Sequence, residues 1–174
     1  MIRKIVFVKH PAKILKAAVF SLFFTVIVTF TFATNRESAH VSYSPYPEII
    51  KYAKQWLGVK YKYGAAHPNQ GFDCSGFVHY VYKQFNISIP RSSAAIGKVG
   101  KTIRLEDAEA GDIILFTGTN PRNRQIGHVG IVVSNDGIHT KFIHASSGKA
   151  MAVTETPLEG SYKKRFIKVI RVAS

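Results

Sequence analysis

Apolar residues recur at one spacing in the first part of the globular stretch and at another in the second. That change of period admits few folds. Behind Pro47, residues Ile49, Ile50, Ala53, Trp56 and Leu57 return every three or four positions, and Gly58 follows them. This predicts an amphipathic helix with a glycine stop. A second helix is predicted from about Cys74 to Phe85, with Phe77, Val78, Val81, Tyr82 and Phe85 on its apolar face and Asp73 as its N-cap. A short third helix is predicted after Ser92 or Ser93, past the break at Pro90. Beyond Gly111 the pattern becomes that of strands: Asp112–Phe116, His128–Ser134, Lys141–Ala145, Ala150–Thr154 and Phe166–Val172. Turn signals stand at Ala110-Gly111 and Asn135-Asp136-Gly137, and Thr117–Gln125 is a polar loop. Helices first and an antiparallel sheet second make an α+β domain.

Ahead of this domain lies a different kind of segment. Residues 1–33 begin with five bases and no acid, and Ala17–Asn35 carries no charge at all. Thr31-Phe32-Ala33 offers small residues at the first and third places of a cleavage site. The expectation is an export signal or an uncleaved membrane anchor at 1–33, a polar linker at 34–45, and the globular domain at 46–174. Either reading leaves the basic flank in the cytoplasm and delivers the rest outside, with attachment to the inner membrane if the segment stays. No Cys lies near the end of the segment, which excludes a lipid-modified N-terminal Cys. The chain has 24 bases and ten acids, and past residue 33 it keeps 19 bases against those ten acids, a formal +9. Charge of that sign favours anionic partners.

The one cysteine, Cys74, cannot form an internal disulfide, and a leftover thiol outside the cytoplasm is oxidisable. Its place in the first turn of a helix suits a nucleophile, because backbone N–H groups and the helix dipole there favour an anion. Gly71 and Gly76 leave room around that turn. A thiol nucleophile also needs a base. His10 and His40 precede the domain, His67 lies in a loop, and His139 lies in a turn region. His79 stands five residues past Cys74, about 140° away around the helix axis. His128 and His144 remain. They fall directly opposite each other if their hairpin is centred on residue 136, inside Asn135-Asp136-Gly137, and opposed residues share a face. One imidazole could then orient the other. A zinc site is the rival use of one Cys and two His, but neither paired-Cys spacing nor an HExxH motif supports it, so no metal is expected.

Five motifs, in order, resemble the NlpC family of bacterial cell-wall cysteine peptidases: Gly71-Phe72-Asp73-Cys74-Ser75-Gly76-Phe77-Val78, Ile89-Pro90-Arg91-Ser92, Ala110-Gly111-Asp112-Ile113, Gly127-His128-Val129-Gly130-Ile131 and Phe142-Ile143-His144-Ala145. The resemblance implies a papain-like α+β fold and cleavage of peptide-stem bonds in peptidoglycan, usually after D-glutamate at a γ-linkage to a diamino acid. It implies Cys74 as nucleophile, His128 as base and His144 as the third, orienting residue. Tyr61 is implied near the oxyanion, with Tyr63 as a rival, and Asp73 and Ser75 match positions that contact substrate in some members. One departure stands out: Gly64-Ala65-Ala66 replaces a frequent Gly-Gly. No cofactor is implied. The expected partners are stem peptides and anionic wall or envelope polymers, not nucleic acid. An amidase or acyltransferase of the same fold, and a non-catalytic envelope scaffold, are the alternatives.

Overall fold

The computed structural model describes residues 46–172. The expected export segment and linker therefore lie outside the described residues. Among the described residues no helix is long and apolar enough to cross a membrane.

Helix α1 (Tyr46–Lys54) buries Ile49, Ile50 and Ala53, the helical stripe seen in the sequence, and carries Glu48 in its first turn and Lys51 and Lys54 in its last. That charge order complements the helix dipole. A two-stranded ribbon follows, β1 (Ala66–His67) and β2 (Gly71–Phe72), and leads directly into α2 (Cys74–Lys83). Asp73 caps α2 as expected, its side chain accepting from the N–H of Gly76. Phe77, Val78, Val81 and Tyr82 are fully buried. The short helix α3 (Ser93–Ile96) starts from the Ser92 cap.

The sheet has six antiparallel strands in the order β3-β8-β4-β5-β6-β7. These are β3 (Lys101–Ile103), β4 (Ile113–Thr117), β5 (Ile126–Asn135), β6 (Thr140–Ala145), β7 (Val153–Pro157) and β8 (Phe166–Arg171). The last is preceded by the short helix α4 (Gly160–Arg165). Both sheet faces are covered, which is why every residue of β4 is buried. Ile113, Leu115, Val129, Ile131 and Ile143 pack with α1 and α2 in the main core. Ile114, Phe116, Val132 and Phe142 form a second cluster, closed by Leu105, Leu158, Tyr162 and Phe166.

Three differences from the sequence reading have local causes. The strand expected at Ala150–Thr154 begins at Val153, because a turn after Ala145 holds Met151 at a positive φ of 45°. Strand β3 and helix α4 are three and six residues long, too short to show a period. The β5–β6 hairpin is not centred on residue 136. Ile131 pairs with Ile143 and Val132 with Phe142, and an irregularity between Val132 and Ser134 shifts the pairs that follow. The true register sets His144 beside Gly130 and leaves His128 two residues earlier in β5.

Candidate active site

Cys74 opens α2, and Asp73 determines how it is presented. The Asp73 carboxylate accepts from five donors. On one oxygen these are the Gly76 N–H at 2.6 Å, the Ser75 hydroxyl at 3.2 Å and Arg91 Nη1 at 2.9 Å. On the other they are the Gly64 N–H at 2.9 Å and Arg91 Nη2 at 2.7 Å. Arg91 also donates to the Ser75 hydroxyl at 3.0 Å and to the Ala65 carbonyl at 3.2 Å. A carboxylate has about four lone-pair sites, so this one is saturated by the protein itself. Arg91 and these N–H groups hold its pKa below the usual carboxylate range despite the opposing effect of burial. Arg91 was legible only as part of a motif; its role as a clamp needs contacts 16 to 26 residues away in the chain. Asp73, Ser75 and Arg91, together with Tyr61, Tyr63, Gly64, Cys74, Ser92, Ser93 and Gly127, line an open cleft of about 480 Å³.

Tyr61 and Tyr63 both border this cleft but differ in depth. Tyr61 is half-buried, and its hydroxyl pKa is raised by burial and by the proximity of Cys74 and Asp73. Tyr61 is thus within electrostatic reach of the thiol. Tyr63 is 88% exposed. The Gly64-Ala65-Ala66 departure builds the rim opposite Arg91: Gly64 donates to Asp73, and Ala65 accepts from both the Asp73 N–H and Arg91.

His128 and His144 come together by a route other than direct opposition. His128 Nε2 and His144 Nδ1 are 2.9 Å apart, with their rings nearly perpendicular at 86°. The shift of two residues keeps both side chains on the same face, because side chains alternate along a strand with a period of two. Gly130 makes the diagonal contact possible. A Cβ built on it would stand 2.8 Å from Phe142 Cδ2 and 3.2 Å from the Cβ of His144. The pair packs with Phe116, Phe142 and Tyr162 in the second cluster. On its other side His144 Nε2 meets Thr156 Oγ1 at 3.0 Å.

Helix α2, which opens with Cys74, packs against β5, and Cys74 lies against the cluster that contains Val129. Residues 126–130 pair with β4, while pairing with β6 begins only at Ile131. The N–H groups of Ser75, of Val129 (the residue after His128) and of Cys74 itself act on the Cys74 sulfur. Among the described residues the hydrogen bonds of the site join His128 to His144 and Asp73 to Ser75 and Arg91, and none joins the thiol to His128. His79 instead binds the Ile89 carbonyl at 2.8 Å, and exposed His139 meets Asp136 at 3.3 Å. Neither takes part in the site.

The electrostatics correct one expectation. The helix start does not leave Cys74 with a depressed pKa. Burial, then the charge of Asp73, push the thiol up, and together they outweigh the three N–H groups. Both imidazoles are driven the other way. Burial, with His144 and then Arg165 nearby, holds His128 well below its ordinary value. Burial and Arg165 bring His144 to about 3. Arg165 lies 5.2 Å from the centroid of Tyr162, the ring that covers both histidines. The resting pair is thus a neutral thiol and a neutral imidazole.

A thiol at the start of a core helix, packed on an antiparallel sheet that carries a histidine with a second polar residue behind it, is the arrangement of the papain-like class of cysteine peptidases. Residues 58–171 match the NlpC/P60 family, and the chain belongs to that family. It is 34% identical over 128 residues to the murein DD-endopeptidase MepS/murein LD-carboxypeptidase of Escherichia coli, covering 72% of this chain and 62% of that protein. It is 30% identical over 129 residues to a gamma-DL-glutamyl hydrolase of Bacillus subtilis, covering 72% of this chain and 30% of the relative. A crystal structure of an NlpC/P60 family protein from Bacillus cereus superposes with a TM-score of 0.64 at 28% identity, over 72% of this chain and 39% of that one. The chain thus spans less than two thirds of the length of these relatives.

The neutral resting pair predicts how Cys74 reacts with an uncharged alkylating agent such as iodoacetamide. Its rate should climb with pH through and beyond 9, since the raised thiol pKa keeps thiolate scarce below that point. A rate already at its plateau near pH 6 would show a preformed thiolate–imidazolium pair and overturn this assignment.

Proposed function

We propose that the protein is a peptidoglycan hydrolase, a cysteine endopeptidase that cleaves stem-peptide bonds through a thioester, with a D-γ-glutamyl–diamino acid bond as its target. The observation that carries this reading is the packing of α2, which opens with Cys74, against β5, the strand that bears His128. Family membership supports the hydrolytic class. The names of the relatives support murein and γ-glutamyl bonds as the substrate field.

His128 Nε2 is engaged by His144, so the nitrogen left for the thiol is Nδ1. His128 takes the Cys74 proton as the sulfur attacks the scissile carbonyl. The nascent thiolate is the countercharge that lets a buried imidazolium form. Bonds between nucleophile and base are commonly long without substrate and tighten in the complex. The backbone N–H at Cys74 and the Tyr61 hydroxyl receive the oxyanion. His128 then protonates the leaving amine and activates water against the thioester. Asp73 and Ser75 shape the cleft beside the sulfur, and substrate approaches them through the network already closed by Arg91. This chemistry calls for no cofactor.

Cys74→Ala and His128→Ala should each abolish release of peptides from purified walls, and the double variant should lose little more, because the two act as a unit. His144→Asn should fall between these and the wild type, while His139→Ala should keep full activity. A melting curve accompanies each variant, since His144 is completely buried. Hydrolysis that survives Cys74→Ala would refute the nucleophile. Mass analysis of the products from defined muropeptides reads the bond directly, and a product other than one ending in D-glutamate would refute the γ-linkage.

Delivery outside the cytoplasm follows from the same reading, supported by the basic flank and the uncharged Ala17–Asn35 run. A reporter fused after Ser174 should be active only if it works outside the cytoplasm; activity of a cytoplasm-restricted reporter would refute export. The excess of bases past residue 33 supports an attraction to anionic wall polymers. Co-sedimentation with purified walls should weaken as salt rises from low to physiological levels, where screening acts over about 8 Å. Binding that ignores salt would reduce the charge to a solubility feature.

A further inference from the structure

His128, His144 and Thr156 form a line of side chains across three adjacent strands, and each step is the same diagonal. Val132 pairs with Phe142, and His128 reaches His144 two residues off the opposed position. His144 pairs with Thr154, and it reaches Thr156, again two residues off. The contacts are 2.9 Å and 3.0 Å. Histidine can pass hydrogen bonding from one nitrogen to the other, so the direction of one bond constrains the next.

A neutral imidazole carries one N–H, and two complete patterns are open to this line. In the first, His128 Nε2–H donates to His144 Nδ1, and His144 Nε2–H donates to the Thr156 oxygen. His128 Nδ1 then holds a lone pair. In the second, Thr156 O–H donates to His144 Nε2, His144 Nδ1–H donates to His128 Nε2, and His128 Nδ1 carries the proton. Only the first leaves His128 able to accept the proton of a neutral thiol. Burial and Arg165 keep both rings neutral, so a doubly protonated ring does not relieve the choice. From the other elements packed on the pair, the charged or titratable groups are Arg165 and Tyr162 of α4.

We propose that Thr156 is a positioning residue of the active site: its hydroxyl oxygen, accepting from His144 Nε2–H, stabilises the tautomer that leaves His128 Nδ1 open to the thiol. The proposal rests on the reading of Cys74 and His128 as nucleophile and base. Without the hydroxyl, the productive pattern would bury an N–H with no acceptor. The unproductive pattern would leave only a lone pair unmet, which proteins tolerate better. Loss of the hydroxyl therefore tips the pair toward the tautomer that cannot act as a base. Thr156 was not marked by the sequence, since the strand expected at Ala150–Thr154 stops short of it; in the structure it is the fourth residue of β7.

The test uses the full chain and three versions of it: wild type, Thr156→Val, which keeps shape and removes the hydroxyl, and Thr156→Ser, which keeps the hydroxyl. Nitrogen-15 spectra of the labelled histidine rings report the tautomers without any substrate. Wild type and Thr156→Ser should show His144 protonated on Nε2 and His128 on Nε2, and Thr156→Val should show both protonated on Nδ1. Hydrolysis of a defined muropeptide should fall about tenfold to a hundredfold in kcat in Thr156→Val, the range expected from one unmet buried donor, with KM little changed. Thr156→Ser should restore most of it. Wild-type His144 protonated on Nδ1 would overturn the proposal, and this result does not depend on whether any variant folds. Full activity in Thr156→Val, or equal losses in the valine and serine variants, would overturn it as well. Hydrolysis that persists in Cys74→Ala would instead remove the proposed function while the ring spectra still decide the tautomer.

Discussion

The carboxylate of Asp73 ties together the parts of the chain that meet at the cleft. Its five donors come from the loop before β1, the first turn of α2 and the segment after Pro90. One residue thereby caps the helix that carries Cys74, closes the rim at Gly64 and pairs with Arg91. A charge-assisted, two-pronged Arg–carboxylate pair adds direction as well as attraction, which suits a contact that must hold three segments in register. The same charge works against the thiol. Asp73 is the second cause, after burial, that raises the Cys74 pKa, so the residue that positions the sulfur also keeps it protonated at rest.

That conflict explains the character of the histidine pair. On the proposed mechanism, a thiol that keeps its proton needs a neutral base, and the sheet carries a neutral imidazole pair. His128 and His144 sit in a cluster walled by Phe116, Phe142 and Tyr162, with the Arg165 guanidinium close to both. Burial and positive charge each disfavour imidazolium. Arg165 is itself held by its bond to the Thr117 carbonyl at 3.0 Å, so the cation lies at a fixed place beside the pair. Thiol and imidazole both start uncharged, and on the proposed mechanism charge develops only as substrate is attacked.

Much of this was legible in the sequence because it depends on local spacing. The stripe of α1, the cap and apolar face of α2, and the strands β4, β5, β6 and β8 follow from side-chain periods of 3.6 and two. The histidine pair survived an error in its register for the same reason. The pairing of Ile131 with Ile143 lies two residues off the register centred on residue 136, and an even displacement keeps His128 and His144 on one face. A slip of one residue would have separated them. The edge strand β3, at three residues, and the ribbon β1–β2, at two residues a strand, offered too few positions for any period to appear.

The sequence by itself determined the α+β order of elements, the lone thiol at a helix start, and the two histidines able to share a sheet face. These depend on alternation and capping over a few residues, where chain connectivity already sets the geometry. The tertiary structure decided the hairpin register, the clamp of Arg91 on Asp73, the deeper burial of Tyr61 than of Tyr63, and the line that continues from His144 to Thr156. It also decided the direction of every pKa shift at the site. Those outcomes depend on how deeply a group is buried and on which charges from distant segments approach it. Both are set when the layers pack, and neither has a signature in the spacing of residues along the chain.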